Sequence, residues 1–387
     1  MKKYLTKKSV VFSLISGAAC FAFFGVSFLL DVPNSEYIAS KISGHEDNII
    51  TPEEIKPVHI KTPPHVRGIY MTSWVASTKD WRESLVGLVD STELNAVIID
   101  VKDYTGRISF EVSDPKLQEI GSAEKRVADI KDFLEELHSK NIYVIARISV
   151  FQDAYLAKQR PDLAVKRSDG KTVWKDRKGI AWLDPCSKEV WDYTVSVAKE
   201  AERVGFDELN FDYIRFPSDG NMKDISYSFC QKGIEKSDAI ENFFAYLKKE
   251  LEVLEVPLSA DLFGMTTTNS DDLNIGQVLE KAEPYFDYIC PMVYPSHYPP
   301  TYNGFKNPAL YPYEVVKLAM DTASQRLIAA TSTPNKLRPW LQDFDLGADY
   351  TAEMVRKQKQ AVYDAGLNSW LLWDAANKYT PAALDKE

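Results

Sequence analysis

The sequence predicts a (β/α)8 barrel, and three observations lead to this fold class. From residue 65 onward, short runs of β-branched and aromatic residues alternate with longer amphipathic segments. Eight such units fit into about 320 residues, the length expected of a barrel with insertions. Polar residues follow the apolar part of nearly every predicted strand. Barrel enzymes build their active sites from residues at the carboxyl ends of the strands, so this pattern also predicts a functional face.

The predicted strands begin with nearly continuous apolar residues, as expected for strands that are covered on both faces. They span 66–74, 95–103, 142–151, 206–216, 258–264, 288–294, 337–344 and 369–375. Helical patterns cover residues near 80–92, 124–140, 187–204, 238–253, 273–283, 314–328 and 350–365. A doubly wound open sheet is the alternative, but no glycine-rich phosphate loop follows the first strand.

Composition narrows the range of functions. Of the 387 residues, 45% are hydrophobic and 26% are charged, which is typical of a globular protein. The net charge is −10 and the body of the chain has no basic stripe, so nucleic acid is not an expected partner. With five histidines and no HExxH or DxDxDG motif, neither a metal nor another cofactor is expected. The absence of a GxSxG motif disfavours a serine hydrolase.

The N-terminus has the pattern of an export signal. Four lysines within residues 2–8 precede an uncharged stretch over 9–30, which is long enough to cross a bilayer. The positive-inside rule then places the body outside the cytoplasm. We predict a retained signal anchor in a single-pass membrane protein, with a cleaved signal peptide of a secreted protein or a lipoprotein signal at Cys20 as alternatives. A proline-containing linker over 31–64 would join residues 1–30 to a barrel over 65–387.

Three further cysteines lie in the body of the chain, namely Cys186, Cys230 and Cys290. Their spacing matches no CxxC metal or redox motif. Free buried thiols are the favoured interpretation. A Cys186–Cys230 disulfide is the alternative, because sequence alone does not show whether two cysteines are close.

Several segments resemble a bacterial family called the putative glycosyl hydrolase domain family. They are VRGIY (66–70), VIIDVKDYTG (97–106), FDELNFDYIRFP (206–217), PMVYPSHY (291–298), RPWLQDF (338–344) and WLLWDAANKY (370–379). The resemblance covers roughly residues 65–380 and implies a (β/α)8 barrel, distantly similar to the α-amylase and α-galactosidase type. It also implies action on a glycan.

Glycoside hydrolysis requires two carboxyl groups that flank the scissile bond. Barrels of the type named above carry their nucleophile near the end of the fourth strand, where Asp212 lies in LNFDYIRFP. We predict Asp212 as the nucleophile and Asp261, at the end of the fifth strand, as the acid/base. Neighbouring strands can hold two carboxylates at the short separation of a retaining enzyme. Asp100 is the alternative acid/base, and Glu208 is expected to be a buried, paired structural group.

The predicted substrate-binding residues also lie near strand ends. Arg147 and Arg215 can keep a neighbouring carboxylate ionised by charge pairing. Trp340 and Trp373 are candidates for a platform on which a sugar ring stacks. The full set is Asp100, Lys102, Arg147, Arg215, Tyr294, His297, Trp340, Gln342 and Trp373. Each of these side chains also has a structural interpretation, as an ion pair, a loop contact or a core residue.

The sequence thus predicts a glycoside hydrolase that acts on a cell-surface or extracellular polysaccharide. A catalytically inactive glycan-binding barrel is the main alternative, and another barrel hydrolase or lyase is a third. The expected partners are the polysaccharide and, through the N-terminal segment, the membrane.

Overall fold

A closed barrel of eight parallel strands forms the body of the protein in this computed structural model, which describes residues 57–386. Each strand pairs with the next in chain order, and β1 pairs with β8 to close the barrel. The strands are β1 Arg67–Met71, β2 Ala96–Lys102, β3 Tyr143–Ser149, β4 Glu208–Asp212, β5 Leu258–Phe263, β6 Tyr288–Met292, β7 Trp340–Gln342 and β8 Trp370–Trp373. The predicted strands and the predicted fold are therefore confirmed.

The helices alternate with the strands, as a (β/α)8 barrel requires. They are α1 Ser73–Ala76, α2 Lys79–Asp90, α3 Pro115–Ile120, α4 Ile130–Ser139, α5 Ala154–Gln159, α6 Lys188–Val204, α7 Lys236–Leu251, α8 Leu279–Ala282, α9 Pro312–Ala329 and α10 Ala352–Asp364. The helix predicted over 273–283 is wrong except for the single turn of α8. Leu273 and Asn274 have positive φ angles, which a helix does not allow. The helix predicted over 124–140 begins only at Ile130.

Two apolar layers hold the barrel together. The larger layer lies between the strands and the surrounding helices, and a smaller cluster that includes Tyr70, Ile98, Ile145 and Leu371 fills the barrel interior. Successive strand residues point alternately to these two layers, so every residue of β2 and β3 is buried. Burial of each large apolar side chain stabilises the fold by about 1.5–3 kcal/mol.

A buried ion pair also lies inside the barrel. Nη1 of Arg338 donates to both carboxylate oxygens of Glu208, at 2.8 and 2.9 Å, and the Tyr143 hydroxyl donates to the same carboxylate at 3.0 Å. Both charged side chains are almost fully buried. The prediction that Glu208 is a buried, paired group is confirmed. Removal of one partner would leave an uncompensated buried charge, which is strongly destabilising.

The N-terminal predictions fall mostly outside the described residues. The proposed signal segment over 9–30 lies there, as does the linker up to residue 56. Residues 57–64 lie against the barrel, where the Ile60 amide donates to Asp207 at 2.8 Å and the Thr62 hydroxyl lies 3.0 Å from that of Tyr143. Within residues 57–386, no helix has both the length and the apolar character needed to span a membrane.

A disulfide bond joins Cys186 to Cys230, so the prediction of free thiols is wrong for these two residues. Their Cα atoms lie 5.0 Å apart although 44 positions separate them in the chain. The carboxylate of Asp184 brings the two loops together, since it accepts from the amides of Cys186 and Phe229 at 3.0 and 3.1 Å. Cys290 is buried and free, as predicted.

Reduction of this disulfide should lower the free energy of unfolding by about 2–4 kcal/mol, because an uncrosslinked unfolded chain gains conformational entropy. The measurement is urea unfolding with and without a reductant. The Cys186→Ser/Cys230→Ser double variant is the control: it should match the reduced protein and show no response to the reductant. Equal midpoints for the oxidised and reduced wild type would contradict this prediction.

Candidate active site

A cavity of about 380 Å³ opens at the carboxyl ends of β3 to β8. This volume is in the range of small-molecule binding sites. Most lining residues come from the strand ends and the loops that follow them, which is where barrel enzymes hold their substrates. They are Arg147, Lys178, Asp212, Tyr213, Arg215, Asp261, Phe263, Gly264, Met265, Met292, Tyr294, His297, Tyr298, Trp340, Trp373 and Ala375.

The guanidinium of Arg147 connects three carboxylates at this face. Its Nη1 donates to Asp100 at 2.6 Å, and its Nη2 donates to Asp212. Its Nε lies 3.8 Å from Oδ2 of Asp261. All four side chains are almost fully buried. Since Asp212 and Asp261 approach neighbouring nitrogens of one guanidinium, the structure brings the two predicted catalytic carboxylates together.

Asp261 is held in an environment that favours its protonated form. Its Oδ1 accepts from Nδ2 of Asn210 at 2.9 Å and from the indole Nε1 of Trp340 at 2.8 Å. Burial, reinforced by the negative charge of Asp212, raises the pKa of Asp261 to about 8. The charge of Arg147 and the two hydrogen bonds act in the opposite direction and are outweighed. Asp261 can therefore carry a proton at neutral pH.

The backbone beside Asp212 is strained. Tyr213 has a φ of 53°, in the left-handed region that aromatic residues rarely adopt. In this conformation the Tyr213 amide donates to Oδ1 of Asp212 at 2.5 Å, while Arg147 binds Oδ2. The strain thus accompanies a carboxylate whose two oxygens are both oriented, as is common in functional sites.

Six of the predicted binding residues line the same cavity as the two carboxylates: Arg147, Arg215, Tyr294, His297, Trp340 and Trp373. Trp373 is partly exposed and stacks on Tyr70, with ring centroids 4.0 Å apart, so the face that meets Tyr70 is not available to a sugar.

Trp340 also borders the cavity, but its side chain is completely buried. Its ring meets that of Trp373 edge-on, with centroids 5.5 Å apart, and its indole nitrogen donates to Asp261. A stacking role for Trp340 does not fit this burial. The residue instead orients the Asp261 carboxyl.

Three other predicted binding residues do not line the cavity. The pairing of β2 with β3 shifts register between Asp100 and Lys102, so that Lys102 lies opposite Ile148. Ile148 packs in the outer layer. The side chain of Lys102 therefore also points away from the barrel interior. There its ammonium donates to Asp153 at 2.6 Å. Substrate binding by Lys102 is therefore not supported.

Asp100 and Gln342 are buried as well. The Tyr70 hydroxyl and Arg147 both donate to Asp100, which therefore lies behind Arg147 rather than in the cavity. The amide group of Gln342 accepts from the Ser296 amide at 3.1 Å and donates to the Phe344 carbonyl at 2.9 Å. These contacts tie two loops together and leave Gln342 outside the cavity wall, so they do not support the predicted binding role.

Sequence reasoning missed several residues that form the cavity wall. Gly264 is one of them: a Cβ atom there would lie 2.3 Å from the Met292 carbonyl oxygen, so only glycine fits between β5 and β6. Lys178 comes from the long loop after β3, and its position has no strand signal. Tyr213 directly follows Asp212, so its contribution could have been anticipated from that proximity.

Potential metal ligands among residues 57–386 form one cluster, made of Asp184, Cys186 and Cys230. Both cysteine sulfurs are used in the disulfide and are not available as thiolate ligands.

Two solved structures illustrate what this chain is similar to. A hypothetical protein from Ruminiclostridium thermocellum is 35% identical over 54% of this chain and 98% of that chain, with a TM-score of 0.46. The glycoside hydrolase domain of PgaB (BpsB) from Bordetella bronchiseptica is 13% identical over 80% of this chain and 94% of that chain, with a TM-score of 0.60, and shares the fold. The chain matches no curated protein.

A family model described as "Putative glycosyl hydrolase domain" matches residues 68–379, a range that includes β1 from its second residue, all of β2 to β8 and every residue of the cavity. This chain therefore belongs to the family of putative glycosyl hydrolase domains.

Proposed function

We propose that the protein is a retaining glycoside hydrolase that acts on a cell-surface or extracellular polysaccharide. The observation that carries the proposal is the pair of Asp212 and Asp261, which line one cavity and approach one guanidinium. The two groups differ in the way that glycosidases need: one is paired with a cation, and the other has a pKa raised to about 8.

In the first step, the protonated Asp261 carboxyl gives its proton to the glycosidic oxygen as that bond breaks. The Asp212 carboxylate attacks the anomeric carbon and forms a covalent glycosyl ester. In the second step, Asp261 removes a proton from water, which attacks the same carbon and releases Asp212. The positive charge of Arg147 offsets the negative charge of the Asp212 carboxylate, which is present before the attack and again after Asp212 is released.

The retaining outcome is part of this proposal. A retaining pair lies closer together than an inverting pair, because no water has to fit between the carboxylate and the sugar. The shared guanidinium of Arg147 supports a short separation. Proton NMR of the reaction at early times should show the product with the anomeric configuration of the substrate. A product of opposite configuration would contradict the retaining mechanism while leaving hydrolysis intact.

We place this activity outside the cytoplasm. The lysine-flanked apolar stretch over 9–30 supports export. The Cys186–Cys230 disulfide also supports it, because disulfides persist in oxidising compartments. Protease treatment of intact cells, followed by detection of the barrel, tests this location: cleavage is expected only if the barrel lies on the outer side of the membrane.

The experiment that tests the function is a hydrolysis screen with the purified full chain in detergent. The substrates are cell-wall polymers, exopolysaccharides and synthetic aryl glycosides, and the Asp212→Asn variant is run beside the wild type. Hydrolysis by the wild type alone supports the proposal. Glycan binding by both proteins without hydrolysis by either would instead indicate a glycan-binding barrel.

A further inference from the structure

The cavity carries an excess of positive charge, although the whole chain has a net charge of −10. Three cationic side chains line it, namely Arg147, Arg215 and Lys178. The acidic side chains that line it are Asp212 and Asp261. Arg147 is committed to these carboxylates and to Asp100. The other two cations are therefore the ones available to a ligand.

Arg215 is held in a fixed position without a carboxylate partner. Its guanidinium carbon lies 5.0 Å from the ring centre of Trp182, 5.3 Å from that of Tyr213 and 5.6 Å from that of Phe263. These aromatic faces stabilise the cation and limit its movement. Within residues 57–386, no carboxylate oxygen lies within 4.0 Å of its nitrogens.

The hydrogen bonds of Arg215 leave one edge of the guanidinium free. Nη1 donates to the Phe216 carbonyl at 3.0 Å and to the Ser218 hydroxyl at 3.2 Å. Protein hydrogen bonds from Nε and Nη2 are absent in the described part of the chain. These two nitrogens form the planar fork that binds both oxygens of a carboxylate. Burial lowers the pKa of Arg215, and the opposing influence of Tyr213 and the nearby acids does not cancel this effect.

Lys178 adds a second positive charge to the same wall. It lies in the segment between α5 and α6, is exposed, and forms no ion pair within residues 57–386. Its flexible ammonium can approach an anion that Arg215 orients. A neutral sugar could accept only ordinary hydrogen bonds from these two cations, whereas an anionic sugar would also be attracted by their charge.

We infer that Arg215 and Lys178 form a subsite for the carboxylate of an acidic sugar, and hence that the substrate is an anionic glycan. The inference rests on the proposed function of the cavity as a sugar site and adds the class of sugar. The carboxylate would bind the Nε and Nη2 edge of Arg215, next to the carboxyl groups that cleave the bond.

The test is saturation-transfer NMR on the full chain, which detects weak binding and does not require turnover. The probes are glucuronate and galacturonate, with glucose, galactose and glucose 6-phosphate as matched comparisons at constant ionic strength. We expect saturable binding of the uronates and much weaker signals from the neutral sugars. Equal signals from uronates and neutral sugars, including none from either, would overturn the inference, and a preference for the phosphate would overturn the assignment of a carboxylate.

Variants of Arg215 test whether this residue is responsible for uronate binding. Arg215→Gln should weaken uronate binding by about 10- to 100-fold, the value of a charge-assisted hydrogen-bonded pair. Arg215→Lys keeps the charge and the packing but lacks the fork, so it should bind with intermediate affinity. Arg177→Gln is the matched control, because Arg177 is an exposed neighbour of Lys178 that does not line the cavity. Full uronate affinity in folded Arg215→Gln and Arg215→Lys would overturn the inference.

The uronate-binding test and the hydrolysis screen can give independent results, so failure of the subsite can be told apart from failure of the proposed enzyme activity. Uronate binding that depends on Arg215 in a protein without hydrolytic activity would support the subsite and count against the proposed enzyme. Hydrolysis of a neutral glycan, with no uronate preference, would support the enzyme and overturn the subsite.

Discussion

The Asp212→Asn variant is expected to lose hydrolysis by about 10,000-fold or more, the scale on which removal of an essential nucleophile acts. An amide has nearly the same shape as the carboxylate but cannot form the glycosyl ester. Its oxygen can still accept from Arg147 or from the Tyr213 amide, the present partners of Asp212. The measurement is the initial rate on the glycan found in the screen, together with the affinity for that glycan.

A loss of turnover with retained affinity separates an enzyme from a binding protein. Asp343→Asn is the matched control. Asp343 is a buried carboxylate at the end of β7 that binds Thr380 and does not line the cavity. It should keep turnover near the wild-type value. If Asp212→Asn and Asp343→Asn lost activity to the same extent, the effect would reflect a general disturbance of this face rather than a missing nucleophile.

The barrel could be predicted in detail because its strands carry a strong local signal. β2 and β3 are buried on both faces and contain almost only apolar residues before their polar ends. The signal fails where backbone conformation changes over a few residues. The segment before α8 looks helical by composition, yet Leu273 and Asn274 take positive φ angles, and only one helical turn remains.

The site was predicted less completely, because it depends on register and on contacts between distant loops. Period-2 alternation places Asp100 and Lys102 on one face of a strand, but the register shift between them sends Lys102 to the other side. The sequence contains no signal for that shift. The same limit applies to Cys186 and Cys230, which Asp184 brings together across two loops.

The sequence identified Asp212 and Asp261 because Asp212 ends β4 and Asp261 lies near the end of β5, the strand that pairs with β4. Their different chemical environments were not predictable in the same way. The sequence suggested that a neighbouring arginine would keep a carboxylate ionised, and Arg147 does lie against both groups. For Asp261, however, burial outweighs that charge, and the pKa of this carboxyl is raised. Burial depends on the complete fold, which explains why a local pattern missed it.

This raised pKa leads to the second large effect. Asp261→Asn should lower kcat/KM on natural glycans by about 100- to 10,000-fold, the usual contribution of a general acid. In the wild type, kcat/KM should fall as the pH rises through about 8, because Asp261 then loses the proton that it must donate. The variant should lack this alkaline decrease. The decrease in kcat/KM caused by Asp261→Asn should be much smaller on aryl glycosides with a nitrophenol leaving group, because this group departs without protonation.

The Trp340→Phe variant tests the same assignment without removing the carboxyl group. The indole hydrogen bond stabilises the charged form of Asp261 and lowers its pKa. Phenylalanine keeps most of the buried packing but cannot donate this bond, so the pKa of Asp261 should rise further. The alkaline decrease in kcat/KM should then move to higher pH. At pH values below this decrease, kcat/KM should stay close to that of the wild type. An alkaline limb that stays in place in Trp340→Phe, or one that persists in Asp261→Asn, would show that a group other than Asp261 supplies the proton.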